Sequence, residues 1–251
     1  MNLEVSKSTY ELLQPIINQI NGTCNITAVQ SNADGSFTLS ICNTLWATNG
    51  FIVSMQGNQY TIVSFVPNQS ITVLPLISGN TPTIGSFTLY APKFYHGTIN
   101  ATQTDLSVPD DTFNRVNYLD KLPMIWLHEP IDETNNTLAK LSPIARQVAC
   151  ELWFLVDYDF TQSNANHYQY AIKPMRNLIA AFYEALKYSG AVDDNLITNF
   201  ITTDTPLFGR YSASGSKGKD VSVQIFNSFE LSGTKLQITV PFLRSYLSNC
   251  C

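Results

Sequence analysis

The sequence predicts an α+β protein: a small antiparallel β-barrel or sandwich inserted after an N-terminal helix, then an α+β unit with an antiparallel sheet and one main helix. Three observations predict it. Residues 8–21 carry apolar positions at helical spacing, and period-two alternation with Gly, Pro and Asn punctuation runs from Gly22 to about Val108. Between Met124 and Leu243 stand a doubly apolar strand, a strongly amphipathic helix and a closing strand pair. The corresponding units are 1–21, a helix packing on the C-terminal unit, then 22–108 and 109–251.

In the first unit, Leu12, Leu13, Ile16, Ile17 and Ile20 repeat every three or four residues after the cap residue Ser8, with a kink expected at Pro15. In the second, Phe37, Leu39 and Ile41 alternate with polar residues. Phe51, Val53 and Met55 do the same before Gln56-Gly57-Asn58, with Tyr60 to Val66 as the hairpin partner. Ile71 to Val73 and Phe87 to Leu89 add strands. GSFTL occurs at 35 and again at 85, but its surroundings differ, so it is no repeat. Asp110 to Lys121 reads as a polar link.

The third unit opens with a short strand, Met124 to Leu127, ending at Pro130. Arg146 to Tyr158 is apolar on both faces, as a central strand is. A helix over AIKPMRNLIAAFYEALKYSG has Pro174 in its first turn, Gly190 past its end and a stripe of Met175, Leu178, Ile179, Phe182 and Leu186. Trp153 and Phe182 are expected to pack together. The closing pair sets Val221, Val223 and Ile225 against Leu236, Ile238 and Val240 across a Ser232-Gly233 turn.

Charge narrows the function. Only 13% of the 251 residues are charged and the net charge is −5, where soluble domains carry roughly a quarter. Such a surface suits a subunit largely covered by others, because charge is depleted at interface cores, and a coding bias toward Asn gives the same composition. The span 22–108 contains one base, Lys93, and two acids, Asp34 and Asp105. An oligonucleotide-binding barrel needs several cations along its groove, so that reading is excluded. Five cysteines at 24, 42, 150, 250 and 251 contain no CxxC and read as reduced thiols. No signal-peptide pattern and no run of about 18 apolar residues occurs, so neither signal-directed secretion nor a membrane span is expected. The sequons at Asn25 and Asn100 then follow from an Asn- and Thr-rich composition.

Catalytic motifs fail one by one, and no cofactor or metal is expected. His128-Glu129-Pro130-Ile131-Asp132 offers Asp where a zinc-protease helix needs its second His, and Pro130 opposes a helix. His96 and His167 have no spacing that relates them to a metal or triad. Near Gly215 to Lys219, Ala213 and Asp220 stand where a phosphate loop needs Gly and Ser or Thr. Asp157 and Asp159 flank Tyr158 as a solvated strand end. Tyr211 to Lys219, rich in Gly and Ser, reads as an assembly arm whose Arg210, Tyr211, Ser214, Lys217 and Lys219 engage a neighbour. Trp46, Phe51, Tyr60 and Tyr95 form the alternative candidate set: aromatics of a nearly uncharged β region could stack on sugars in a carbohydrate- or receptor-binding module.

The order PMIWLHEP, LWFLVDYDF, AIKPMRNLIAAFYEAL and a closing strand pair resembles neck and tail ring subunits of tailed bacteriophages, the crAss-like and related phages, over about residues 118–245. The β-rich span departs from that pattern as an insertion. The resemblance implies a virion structural protein assembled in the host cytoplasm as a homo-oligomeric ring. It also implies other virion proteins above and below, DNA passing the lumen without specific binding, and no membrane contact.

Overall fold

The computed structural model describes residues 7–98, 122–135, 143–158, 164–205 and 231–245. Helix α1 (Thr9–Ile17) starts at a capping box: the Ser8 hydroxyl accepts from the Glu11 N–H at 3.2 Å, and the Glu11 carboxylate accepts from the Ser8 N–H at 2.6 Å. Leu12, Leu13, Ile16 and Ile17 are buried, and Pro15 falls in the last turn, where few further helical bonds remain to be lost. The chain is extended again at Asn21, so the helix is shorter than its apolar period.

Six antiparallel strands follow: β1 (Asn21–Ser31), β2 (Phe37–Ile41), β3 (Ile52–Met55), β4 (Asn58–Val66), β5 (Ser70–Pro75) and β6 (Gly85–Tyr90). They close a barrel in the order β1-β2-β5-β4-β3-β6, which leaves no free edge. Alternate residues fill its interior, among them Ile26, Leu39, Ile41, Val53, Met55, Ile62, Ile71, Val73, Phe87 and Leu89. The β3–β4 turn is the two-residue type expected of a tight hairpin, with φ of 52° at Gln56 and 80° at Gly57.

The barrel ends at Tyr90, and the next strand, β7 (Lys93–Gly97), belongs to a second sheet; the β-rich span 22–108 therefore extends past the barrel. That sheet contains β8 (Met124–Asn135), β9 (Ile144–Asp157), β10 (Thr198–Thr205) and β11 (Leu231–Leu243), in the order β10-β11-β9-β8-β7. Strand β9 is central, as its two apolar faces predict. The sheet is mixed rather than antiparallel throughout, because β7 runs parallel to β8, Lys93 beside Met124.

Three further expectations are corrected. Strand β8 does not stop at Pro130: it runs to Asn135, and the register slips between His128↔Glu151 and Asp132↔Ala149. That irregularity accommodates a proline, which cannot donate to the ladder. Ser232 and Gly233 form no turn; they lie inside β11, paired with Val156 and Leu155. Strand β11 is flanked by β9 and β10, while Val221, Val223 and Ile225 lie outside the described residues.

One face of the sheet carries the main core. Ile125, Leu127, Val148, Leu152, Phe154, Leu236, Ile238 and Val240 join the buried residues of α1 and of helix α2 (Lys173–Tyr188) in one cluster that continues into the barrel. A short helical turn, Asn164–His167, and a π-helical stretch, Tyr168–Ile172, lead into α2. Pro174 sits at its start, and Gly190 just past its end has φ 68°, the left-handed conformation that a helix C-terminus favours. Trp153 belongs to the opposite face, with Leu122, Met124, Trp126, Leu155 and Leu231. The aromatic partner of Phe182 is therefore Phe154, ring centroids 6.2 Å apart. Buried Arg146 fastens the start of α1 to the sheet: it donates to Asn135 Oδ1 at 3.0 Å and to the Lys7 carbonyl, with Glu133 3.7 Å away.

Candidate assembly surfaces and polar clusters

The four aromatics expected to stack on sugars do not share a surface. Trp46, Phe51 and Tyr60 are buried, and Trp46 Nε1 donates to the Tyr90 carbonyl at 3.0 Å, tying the long β2–β3 connection to β6. Tyr60 pairs with Val53, whose side chain points into the barrel. Tyr95 is on β7 and half-buried against the second face of the other sheet. Three of the four are core and Tyr95 lies in the other sheet, so they form no shared stacking platform.

Neighbours along a strand point to opposite faces, and this separates His128 from Glu129. Glu129 shares its face with α1 and lies 3.3 Å from His96, whose ring packs tilted against that of Tyr10, centroids 4.3 Å apart. His128 faces the other way, 3.8 Å from Glu151. Glu151 is the centre of a polar cluster: its carboxylate accepts from Trp153 Nε1 at 2.7 Å and Gln237 Nε2 at 3.2 Å, and Lys235 Nζ lies 3.4 Å away. Residues on β8, β9 and β11 meet there through strand register. Among the described residues no group of three His, Cys, Asp or Glu could hold a metal. Partly exposed ion pairs contribute little to stability, so His128→Gln with Glu129→Gln is expected to change it by under about 0.5 kcal/mol, measured by urea unfolding. Asp157 ends β9, and Asp159 lies outside the described residues.

A second polar pair is internal. His167 Nε2 and Ser232 Oγ are 2.6 Å apart, with the ring 4.5 Å from that of Tyr158. Burial lowers the pKa of His167, and the nearby Asp204 partly opposes this. The folded state therefore holds His167 neutral, and its stabilising contribution is complete above the unfolded value of about 6.5. Stability is lost as pH falls below that value toward the lowered folded one. The protein is expected to unfold at lower urea concentration at pH 5.5 than at pH 7.5, and His167→Asn to shrink that difference. Burial also pushes the Cys24 and Cys150 thiols up to about 12, which keeps both protonated and unreactive.

Apolar side chains left exposed define two surfaces. On the barrel wall Ile52 pairs with Thr61, which pairs in turn with Leu74, so the three form one cross-strand row on the outside. Ile52 is 55% exposed, Leu74 42% and Leu76, two residues on, 51%. The second surface is a groove of about 680 Å³ between α2 and β10. Its wall includes Ile179, Tyr183, Ile197 and Phe200, with the Tyr183 and Phe200 rings edge to face at 5.1 Å. Beside it Arg176 grips Asp204 with two hydrogen bonds, at 3.0 and 2.5 Å, and Thr234 donates to the same carboxylate at 3.1 Å. A second hollow, about 790 Å³ between the barrel and α2, is bridged by Asn177 Nδ2 donating to the Leu45 carbonyl at 2.8 Å.

The expected arm residues Arg210, Tyr211, Ser214, Lys217 and Lys219 lie outside the described residues. No described helix is long and apolar enough to cross a membrane. No family model matches the chain, and no curated protein or solved structure shows significant similarity to it.

Proposed function

We propose that the protein is a structural subunit that works by assembling, and that the assembly is a ring of the neck or tail of a tailed bacteriophage. The observation that carries the assembly reading is the barrel wall. Ile52 and Leu74, with Thr61 between them, and Leu76 just past β5 expose aliphatic side chains on the outside of a barrel whose own core is already filled. Several large aliphatic side chains exposed on one barrel wall favour a protein contact there. The low charge of the chain, 13%, supports it, since interface cores are depleted of charge. The ring and the virion rest on the resemblance over residues 118–245: a contact between unlike patches that closes on itself gives a ring.

Mass photometry and negative-stain microscopy of the full chain over a concentration series test the reading. Defined oligomers, circular in projection, are expected. Leu74→Lys with Leu76→Lys should leave circular dichroism unchanged, because both side chains are exposed, yet lower the assembled fraction at least tenfold. A chain that stays monomeric up to high micromolar concentration would sink the proposal.

A further inference from the structure

From strand β10 we infer a second contact, resting on the reading that the chain assembles: two copies join edge to edge through β10, antiparallel, about a two-fold axis at Thr203. Among the described residues β10 is the outer strand of its sheet, hydrogen-bonded on one side to β11. Natural edges are blunted by lysine, proline, extreme shortness, bulges or a covering element. This one spans eight residues with no Lys, Arg or Pro, and Thr198 to Thr203 are all exposed, Phe200 at 40% and Ile201 at 52%. Its irregularity is confined to Thr198–Ile201, where Asn199 has φ 54°. From Ile201 to Thr205 the register against Gln237 to Gly233 is unbroken, so the other side of that stretch presents a regular row of backbone donors and acceptors.

The occupant follows from charge and from the register. A partner bearing complementary charge has little to recognise, because Asp204 is the one charged residue of β10 and Arg176 and Thr234 already hold its carboxylate. A second copy meets no repulsion. Centring the regular stretch on itself sets Thr203 against Thr203, Thr202 against Asp204 and Ile201 against Thr205, with no like charges directly opposite. Threonines pair favourably across strands. A two-fold axis perpendicular to the sheet also keeps both α2 helices on one side. The two grooves walled by Tyr183, Phe200 and Ile197 then face each other across the new seam, and each copy shields the other's.

Single-cysteine crosslinking tests the register in the full chain carrying Cys42→Ser, Cys250→Ser and Cys251→Ser; Cys24 and Cys150 are buried. Residues directly opposite lie about 4.5–5.5 Å apart between Cα atoms, within disulfide reach of about 4.4–6.8 Å. Thr203→Cys is expected to crosslink as a dimer on mild oxidation. Ile201→Cys is expected not to, because the two copies of residue 201 would be four positions apart, roughly 13 Å. Thr203→Lys should weaken dimerisation at least tenfold with circular dichroism unchanged, and β10 amides should lose exchange protection on dilution. Crosslinking at 201 but not 203, self-association indifferent to Thr203→Lys, or β10 protection that dilution leaves unchanged would each overturn the inference. In those cases oligomers still sensitive to Leu74→Lys would leave the assembly reading standing, whereas a monomer under all conditions would remove both.

Discussion

Phe182→Ala is expected to cost about 3 to 5 kcal/mol, the usual range for removing a fully buried aromatic. Phe182 is 0% exposed in the middle of α2, beneath it lies Phe154 of the central strand, and the same cluster extends to α1 and the barrel. The hole opens where helix layer and sheet meet, so neither can collapse to fill it without moving the other. For a chain of this length the loss corresponds to a fall in melting temperature on the order of 10 °C. A double-mutant cycle separates the two faces of the sheet. Phe182→Ala with Phe154→Leu should show a coupling of about 0.5 kcal/mol or more, whereas Phe182→Ala with Trp153→Ala should be additive within about 0.5 kcal/mol. Coupling to Trp153 in place of Phe154 would mean that the helix lies on the other face.

The pairing of Phe182 with the wrong neighbour shows where sequence reading runs out. Residues 146–158 announce two apolar faces, and α2 announces one stripe, but nothing local says which face the stripe meets. That choice is made by strand order and by the covalent path from β9 to α2. The barrel strands were legible because they face solvent on one side, so polarity alternates. Strand β10 was not, since Thr198 to Thr203 are all exposed and its first half is bulged, which leaves no buried side there to set a period. Parity within the barrel strands carried one unused signal. Tyr60 stands two residues before Ile62, on the same face, and that alone assigns it to the barrel interior rather than to a sugar platform. The Glu151 cluster had no local signal at all: residues 128, 151, 235 and 237 meet only through the register of three strands, and a slip of one residue would scatter them. Two unlike surfaces result from this arrangement. The barrel wall presents side chains without free backbone, because its ladder is closed, and β10, the outer strand among the described residues, carries few large side chains.

Gly233→Ala is expected to be comparably damaging, by a different mechanism. A Gly beside a Ser in an apolar run reads as a turn, yet Gly233 is paired with Leu155 inside the sheet. A Cβ placed on it would lie 2.1 Å from the Phe154 carbonyl oxygen and 2.9 Å from a Leu155 methyl. The methyl could rotate aside. The carbonyl could not, because it belongs to the backbone of the central strand, and Phe154 on that strand anchors α2. Glycine in a strand interior commonly marks such a close backbone approach. Relief requires β11 and β9 to separate there, which breaks the ladder next to Ser232, the partner of His167. Overpacking of this kind costs about 1 to 3 kcal/mol where neighbours can yield, and the upper end or beyond is expected where they cannot. A true turn would respond differently: alanine outside the left-handed region would be nearly neutral there. Urea unfolding of Gly233→Ala decides between them, with a loss of about 3 kcal/mol placing the residue in the ladder and a change under about 0.5 kcal/mol restoring the turn.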